Sequence, residues 1–589
     1  MRARLFGAIS LTGPFLNPYN LGMSYIVSVS GWEITKVVLL LLAGLGCMMF
    51  GMQVFSDNLT KASGKKLRNA LSKLSSNRFK GILVGGTVTA IVHSSAATTV
   101  MVVGLVNSGS LSLLQAASII MGANIGTTVT GLMLSLQSLP VTQLFAALSF
   151  VGIVMLLISK KPFVRVIANI LIGFGLLFVG MAVMSTSMGD LTGLFGTALF
   201  EKIKNPFVLL LLGAVLTAIM QSSTTMTAIL IVLSTSGLIN IDSAIYIVLG
   251  MNLGTCATSI IASIGANTNS VRAAMFHLMF NLIGTTIFFA ILFIKPLRHW
   301  LLYSVLFGND TTKIAYSIAI FHVIFNLTTS ALLVPFVSPF VKFVSKIVPE
   351  KKPKNEDEQL HLHYLDDRFL PTPSIAVGEC KREICYMAER AYKNFSLSMD
   401  AILNADLSQK LDFDRREAKI DFLNREIAKY LVKLSAANLS DEDEHVISTY
   451  YHAITDIERI GDYAENIMEY TQRLIDDGSR FSPAAIDELR AMHNNITNLY
   501  TFSIQAFNTQ DLTALMQAEI YEESIDDAKS QLSAAHIERL ENKECTVENG
   551  TVFLALLNDL ERIGDHWYNV AKSIKDYTLP LPKSAPENH

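Results

Sequence analysis

Residues 85–95 read Gly85-Gly86-Thr87-Val88-Thr89-Ala90-Ile91-Val92-His93-Ser94-Ser95, and residues 213–223 read Gly213-Ala214-Val215-Leu216-Thr217-Ala218-Ile219-Met220-Gln221-Ser222-Ser223, an offset of 128. The same register persists downstream. Ser108-Gly109 matches Ser236-Gly237, and Gly122-Ala123-Asn124-Ile125-Gly126-Thr127 matches Gly250-Met251-Asn252-Leu253-Gly254-Thr255. Upstream, Gly44-Leu45-Gly46 and Gly51-Met52 match Gly173-Phe174-Gly175 and Gly180-Met181 at an offset of 129. One register held across three segments is an internal duplication.

The surroundings of this duplication are apolar. The 589 residues suggest several domains, 51% of them are hydrophobic and only 16% charged, and mean hydropathy is +0.40. Soluble domains carry about 25% charged residues, so the average points to a membrane protein. Seven segments, 34–57, 110–134, 141–159, 163–187, 241–266, 272–294 and 313–341, reach the length of about 20 apolar residues that crosses a hydrocarbon core. The stretches 81–107 and 207–235 differ, being rich in Gly, Ser and Thr with a polar cluster at the centre.

If each Ser-Ser stretch bends back near its serines, each arm is about 12 residues or 18 Å, too short to cross about 30 Å of hydrocarbon. Three spans then separate the copies, which are inverted. If the stretches span, four do and the copies are parallel. Charge bias does not separate the two cases: hairpins put 13 basic residues inside and 5 outside, full spans 12 and 6. Both cases place the C-terminal half in the cytoplasm. Close helix packing alone would explain an isolated Gly/Ser/Thr-rich pair. A pair duplicated in register favours broken helices whose N-termini turn dipole and free N–H groups toward an anion, as in transporters with inverted repeats.

The chain has two electrostatic halves. Residues 1–349 carry 21 Lys/Arg against 6 Asp/Glu, and the remainder 26 against 44. Residues 1–33 are expected as an N-terminal extension. Arg2 and Arg4 precede an apolar run, but Pro14 and Pro18 interrupt it and no cleavage site stands out. The membrane domain is placed at 34–346, with repeat one at about 34–159, repeat two at about 163–294 and the final span at 313–341. Residues 350–372 form a charged linker, 373–577 a soluble helical domain and 578–589 a tail. Within the soluble domain six amphipathic, Pro-poor helices fit 373–405, 409–436, 441–474, 482–508, 511–541 and 547–576, with Asp441 and Ser482 as first-turn or capping residues.

This half is duplicated too. Asp456-Ile457-Glu458-Arg459-Ile460-Gly461-Asp462 returns as Asp559-Leu560-Glu561-Arg562-Ile563-Gly564-Asp565, and Glu417 with Asp421 is echoed by Glu522 with Asp526. Like charges four apart share a helix face and repel. A divalent metal compensates that, and so does solvation or a neighbouring Arg459 or Arg562. A smaller echo, Phe276-His277 to Asn281 and Phe321-His322 to Asn326, puts His and Asn on one helix face. Inside a span it reads either as functional or as interhelical hydrogen bonding. The five Cys have no framework spacing: Cys380 and Cys385 miss the CxxC pattern, so they are ordinary thiols. No P-loop or HExxH motif occurs, and the acidic soluble half argues against nucleic acid. An enzyme is therefore not expected.

A Ser-Ser motif in each of two repeats, preceded by Gln221 in the second, resembles the sodium–phosphate cotransporter family, type II and its bacterial branch, over residues 34–346. The resemblance implies an all-α polytopic protein with inverted repeats and re-entrant hairpins. Carried onto this chain, Ser94, Ser95, Ser222 and Ser223 look like phosphate contacts, with Thr98 and Thr224, then Thr99 and Thr225, as second choices. Gln221 looks like a sodium or phosphate ligand, His93 takes the equivalent sodium-binding place in the first copy, and Asn124, Thr127, Asn252 and Thr255 complete the cage. His93 stands where the family usually has Gln, which leaves sodium stoichiometry open. The soluble half resembles PhoU-type regulators, six-helix proteins whose acidic motifs can hold metal clusters. That implies metal at Glu458, Asp462, Glu561 and Asp565, with Glu417, Asp421, Glu522 and Asp526. The implied function is sodium-coupled transport of inorganic phosphate across a prokaryotic plasma membrane, with a cytoplasmic regulatory domain and sodium as the co-transported ion. Phosphate export with overflow sensing and a flux-free membrane sensor are the alternatives. A homo-oligomer or a signalling partner on the helical domain is compatible with each.

Overall fold

The structure, a computed structural model, describes residues 31–72, 77–139, 142–195, 204–308, 310, 312–350, 360–437, 439, 441–542 and 545–573. The expected extension over residues 1–30, linker residues 351–359 and the tail lie outside the described residues. No strand occurs among those described.

The membrane half begins with α1 (Gly31–Ser72), followed by α2 (Arg78–Val92) and α3 (Ser95–Asn107), then α4 (Leu113–Ser135), α5 (Thr142–Ile158) and α6 (Pro162–Phe195). The second copy continues with α7 (Pro206–Met220), α8 (Ser223–Thr235), α9 (Ile241–Gly254), α10 (Cys256–Ser263) and α11 (Thr268–Phe293). A short α12 (Lys295–Trp300), α13 (Ile314–Leu333) and α14 (Val337–Ile347) close it. Among the described residues, six helices are long and apolar enough to cross a membrane. The seventh expected segment is the apolar but shorter α5, of 17 residues. Two expected spans are interrupted: 241–266 breaks at Thr255, and the last passes through a tight turn at Val334–Phe336, where Pro335 has no N–H to donate.

Both Ser-Ser stretches are hairpins. The arms are 15 and 13 residues in each copy, about 20–22 Å of helix and too short to cross. The first hairpin opens on the face that carries the soluble half: beyond α3, the Ser110 hydroxyl donates to Glu379 at 2.9 Å. From that face α4 crosses, α5 returns and α6 crosses again antiparallel to α5, with Gly152 set against the Ala168 carbonyl and Gly175 against Ser149, so the second hairpin enters from the opposite face. The order of later contacts agrees. Asp242 at the start of α9 pairs with Arg298 at 3.7 Å, while Asn267 after α10 donates its backbone N–H to the Asn107 side chain at 2.8 Å. The repeats are inverted.

Inversion explains the repeated glycines. The equivalent helices α1 and α6 cross antiparallel, and a Cβ on Gly44 would stand 2.9 Å from the Gly180 carbonyl, one on Gly51 2.8 Å from that of Gly173. Within each copy the entering arm of the hairpin lies against the next spanning helix. A Cβ on Gly122 would fall 2.0 Å from the Ile82 carbonyl, and one on Gly250 1.9 Å from that of Leu210.

The soluble half comprises α15 (Pro373–Asn404), α16 (Lys410–Ser435), α17 (Asp441–Asp476), α18 (Pro483–Thr509), α19 (Leu512–Glu541) and α20 (Val547–Lys572). These are the six expected helices. Ser482 caps α18, accepting from the Ala485 N–H at 3.2 Å, and Asp441 is the first residue of α17. One apolar core runs from the first hairpin through Phe369 into this bundle, and a second fills the other repeat.

Candidate functional site

The two hairpin tips have the same backbone. His93 and Gln221 end their helices in the left-handed region at φ 53° and 52°, and the next residues, Ser94 and Ser222, are extended at φ −143° and −144°. The extended serine then caps the following helix. Ser94 Oγ accepts from the Ala97 N–H at 3.1 Å, and Ser222 Oγ from the Thr225 N–H at 3.2 Å. A helix start leaves its first N–H groups without intrahelical carbonyls. At α3 these are Ser95 and Ala96; at α8, Ser223 and Thr224.

The tips meet, with the Thr224 hydroxyl donating to the His93 carbonyl at 3.4 Å. Between them lies a cavity of about 600 Å³, whose wall includes His93, Ser94, Ser95, Ser222, Ser223 and Thr224. Two N-terminal helix ends of opposite entry thus converge on one polar space, an arrangement that attracts an anion through dipoles and free N–H donors.

Sequence reasoning missed a third wall. Gln53, Ser56, Asp57, Thr60 and Lys61 of α1 line the same cavity. Their spacing of i, i+3, i+4, i+7 and i+8 is one helix face, and that polar stripe was the available signal. The Ser56 hydroxyl donates to the Val92 carbonyl, tying α1 to the end of α2.

Other expected residues lie elsewhere. Gln221 is exposed at the bend and is absent from the cavity wall. Thr98 is inside the first hairpin, accepting from Thr89 at 3.0 Å and donating to the Ser94 carbonyl at 3.0 Å, and Thr99 donates to the Ala96 carbonyl. His93 lines the cavity while its Nδ1 bonds Thr130 at 3.0 Å and its ring packs on Phe55. Asn124, Thr127, Asn252 and Thr255 are outside the cavity wall. Asn124 Oδ1 meets His277 Nε2 at 3.4 Å, and Asn252 Oδ1 meets His322 Nε2 at 3.3 Å. The two His/Asn echoes are thus interhelical partners of the two repeated Asn motifs. Thr127 and Thr255 donate to carbonyls of their own helices.

In the soluble half, the first Asp of each repeated motif joins the copies. Asp456 bonds His566 Nδ1 at 2.8 Å, and Asp559 accepts from Tyr470 at 2.9 Å and Asn466 at 3.2 Å. The remaining acids form two clusters. In the second, single oxygens of Asp526, Glu561 and Asp565 lie within 4.8 Å of one another, with Glu522 close enough for Asp526 and Asp565 to raise its pKa further after burial. Lys529 pairs with Glu561 at 3.2 Å and Arg562 with Asp565 at 3.2 Å, so two cations already offset this cluster. In the first, Glu417 Oε2 accepts from Asn394 at 2.7 Å while its Oε1 is buried without a partner. Burial, followed by Asp421, Glu465 and Asp462 as neighbours, pushes Glu417 up to about 7. Glu458 and Asp462 are raised by burial first and by neighbouring carboxylates second. An orphaned carboxylate oxygen among other oxygen donors fits a hard divalent cation.

Inverted repeats with paired hairpins around one polar cavity define a multi-pass transporter, here joined to a soluble helical domain. The Na+/Pi-cotransporter family profile matches residues 47–186 and 187–332, and the PhoU domain profile matches 384–471 and 489–574. The membrane half thus matches the Na+/Pi-cotransporter family in two units, and the soluble half matches two PhoU domain units. It is 24% identical over 538 residues to an Escherichia coli protein named "Putative inorganic phosphate export protein YjbB", covering 91% of this chain and 96% of that one. The Bacillus subtilis protein YqeW is 27% identical over 308 residues, 51% of this chain and 95% of its own length. A 109-residue stretch is 37% identical to mouse "Sodium-dependent phosphate transport protein 2A", 18% of this chain and 17% of that protein.

Proposed function

We propose that this chain moves inorganic phosphate across a prokaryotic plasma membrane in exchange for the free energy of a sodium gradient, with the soluble half on the cytoplasmic side as its regulator. The observation that carries the reading is the cavity bounded by the N-terminal ends of α3 and α8. Ser95 and Ser223, with the first N–H groups of both helices, that of Thr224 included, bind the phosphate oxygens. Ser94 and Ser222 hold those N–H groups in place as caps. Lys61 supplies the opposite charge, and Asp57 sits four residues away on the same face, where it takes a sodium ion or a phosphate proton. The test is radiolabelled phosphate flux in proteoliposomes with and without a sodium gradient.

A second reading reverses the direction to export. It is supported by the name of the Escherichia coli relative, which spans nearly the whole chain, both halves included. Phosphate content of cells overproducing the protein separates the two: export lowers it and import raises it. In either direction the acidic clusters of the soluble half bind protons or a divalent cation: Asp526, Glu561 and Asp565 bring three carboxylate oxygens together, and Glu417 offers an orphaned oxygen in the first cluster. Calorimetry of the full chain with manganese or zinc, beside Glu417→Gln, tests that assignment.

A further inference from the structure

The cavity wall is not built by the membrane half alone. Leu370, Pro371, Pro373 and Ser374, together with Ala437 beyond α16, also line it. The segment that delivers them, 366–374, is anchored at both ends of its path and on both halves of the protein.

On the membrane side, Phe369 is fully buried, and its ring lies flush on α3: a Cβ on Gly104 would stand 2.7 Å from it. Asp366 accepts from Asn107 at 3.1 Å and pairs with Arg368 at 3.0 Å, while Arg368 reaches the Ile264 carbonyl at 3.4 Å. On the soluble side, the Tyr430 hydroxyl donates to the Asp366 carbonyl at 2.8 Å. Just upstream, the buried Glu383 carboxylate gathers the backbone N–H groups of His363, Tyr364 and Leu365 at 3.0, 2.5 and 3.0 Å. Ser374 donates to Asp443 of α17 at 2.9 Å, and α17 carries the first acidic motif.

We infer that residues 366–374 form a strap that the soluble half lays across the inner mouth of the anion cavity, and that passage to or from that side requires Phe369 to leave the Gly104 groove. The docked strap is the inward-closed state. Ligand or proton occupancy on α17 then has a direct mechanical route to the mouth through Asp443 and Ser374. The inference rests on the cavity being the phosphate pathway, but the strap itself is testable without phosphate.

A single thiol at Ala97→Cys, in the cavity wall, reports access from the soluble-half side when a membrane-impermeant maleimide is added to vesicles whose soluble halves face the bath. The parent without that thiol gives the background from the five native cysteines. Phe369→Ala frees the strap from one side of the contact. Gly104→Ala does so from the other, without hollowing the core of the bundle, and is the arm to rely on if Phe369→Ala does not fold. Both are expected to label about tenfold faster or more than the docked protein, the shift that about 1.4 kcal/mol lost from the docked state gives, and to raise sodium-driven phosphate flux. Unchanged labelling in both variants overturns the strap. Faster labelling in variants that move no phosphate leaves the strap standing and removes the phosphate reading instead.

Discussion

Gln221 and Ser223 stand two residues apart, yet the first is exposed at a left-handed bend and the second faces the cavity from the first turn of α8. Ser223→Ala removes a donor to a charged ligand, worth about 1.5–3 kcal/mol or roughly 10- to 150-fold in apparent phosphate affinity. Gln221→Ala is expected to stay within about twofold in apparent affinity, because its exposed side chain is absent from the cavity wall. Paired uptake curves for the two variants check both statements. At Glu417, the folded-state pKa of about 7 lies above the ordinary carboxylate value. The unfolded chain therefore releases this proton first, and stability falls as pH rises from about 4.5 to 7, by up to about 3 kcal/mol. Glu417→Gln should leave thermal stability unchanged at pH 4 and raise it at pH 8. In the unsubstituted protein, added manganese at pH 8 should recover much of the same gain.

At the scale of elements, the glycines separate into those that touch and those that do not. Gly250 is pressed against the Leu210 carbonyl, whereas Gly46 has nothing near its missing Cβ. Gly250→Val must push α9 from α7, an overpacking cost of about 1–3 kcal/mol or more, and should lose thermally stable protein in detergent. Gly46→Ala should fold at least as well as the parent, because alanine favours helix by up to about 1 kcal/mol. The sequence pattern Gly44-Leu45-Gly46 did not reveal which glycine makes the contact, because that depends on which face of α1 meets α6. The hairpins, in contrast, were legible from duplication and arm length. So were all six soluble helices, whose apolar periodicity and Pro-free runs leave little alternative.

Across the whole molecule, what escaped the sequence was tertiary. The polar stripe from Gln53 to Lys61 lies within a helix whose apolar residues dominate any average, so its spacing was the one local clue. Asn124 and Asn252 were visible as repeats, but their partners, His277 and His322, lie 153 and 70 residues away. The strap was invisible because nothing in residues 366–374 announces that Gly104 receives Phe369. The strap contacts join a basic membrane half to an acidic soluble half, and the cavity lies where both contribute walls. The proposed function turns on sodium-driven phosphate flux through that cavity. The direct measurement is radiolabelled phosphate movement in proteoliposomes holding the full chain, with an imposed sodium gradient, its dissipation, and Ser223→Ala in parallel. Flux should depend on the gradient and fall at least tenfold in the variant at low phosphate. Phosphate movement indifferent to sodium, or no movement while phosphate still raises thermal stability, would contradict it.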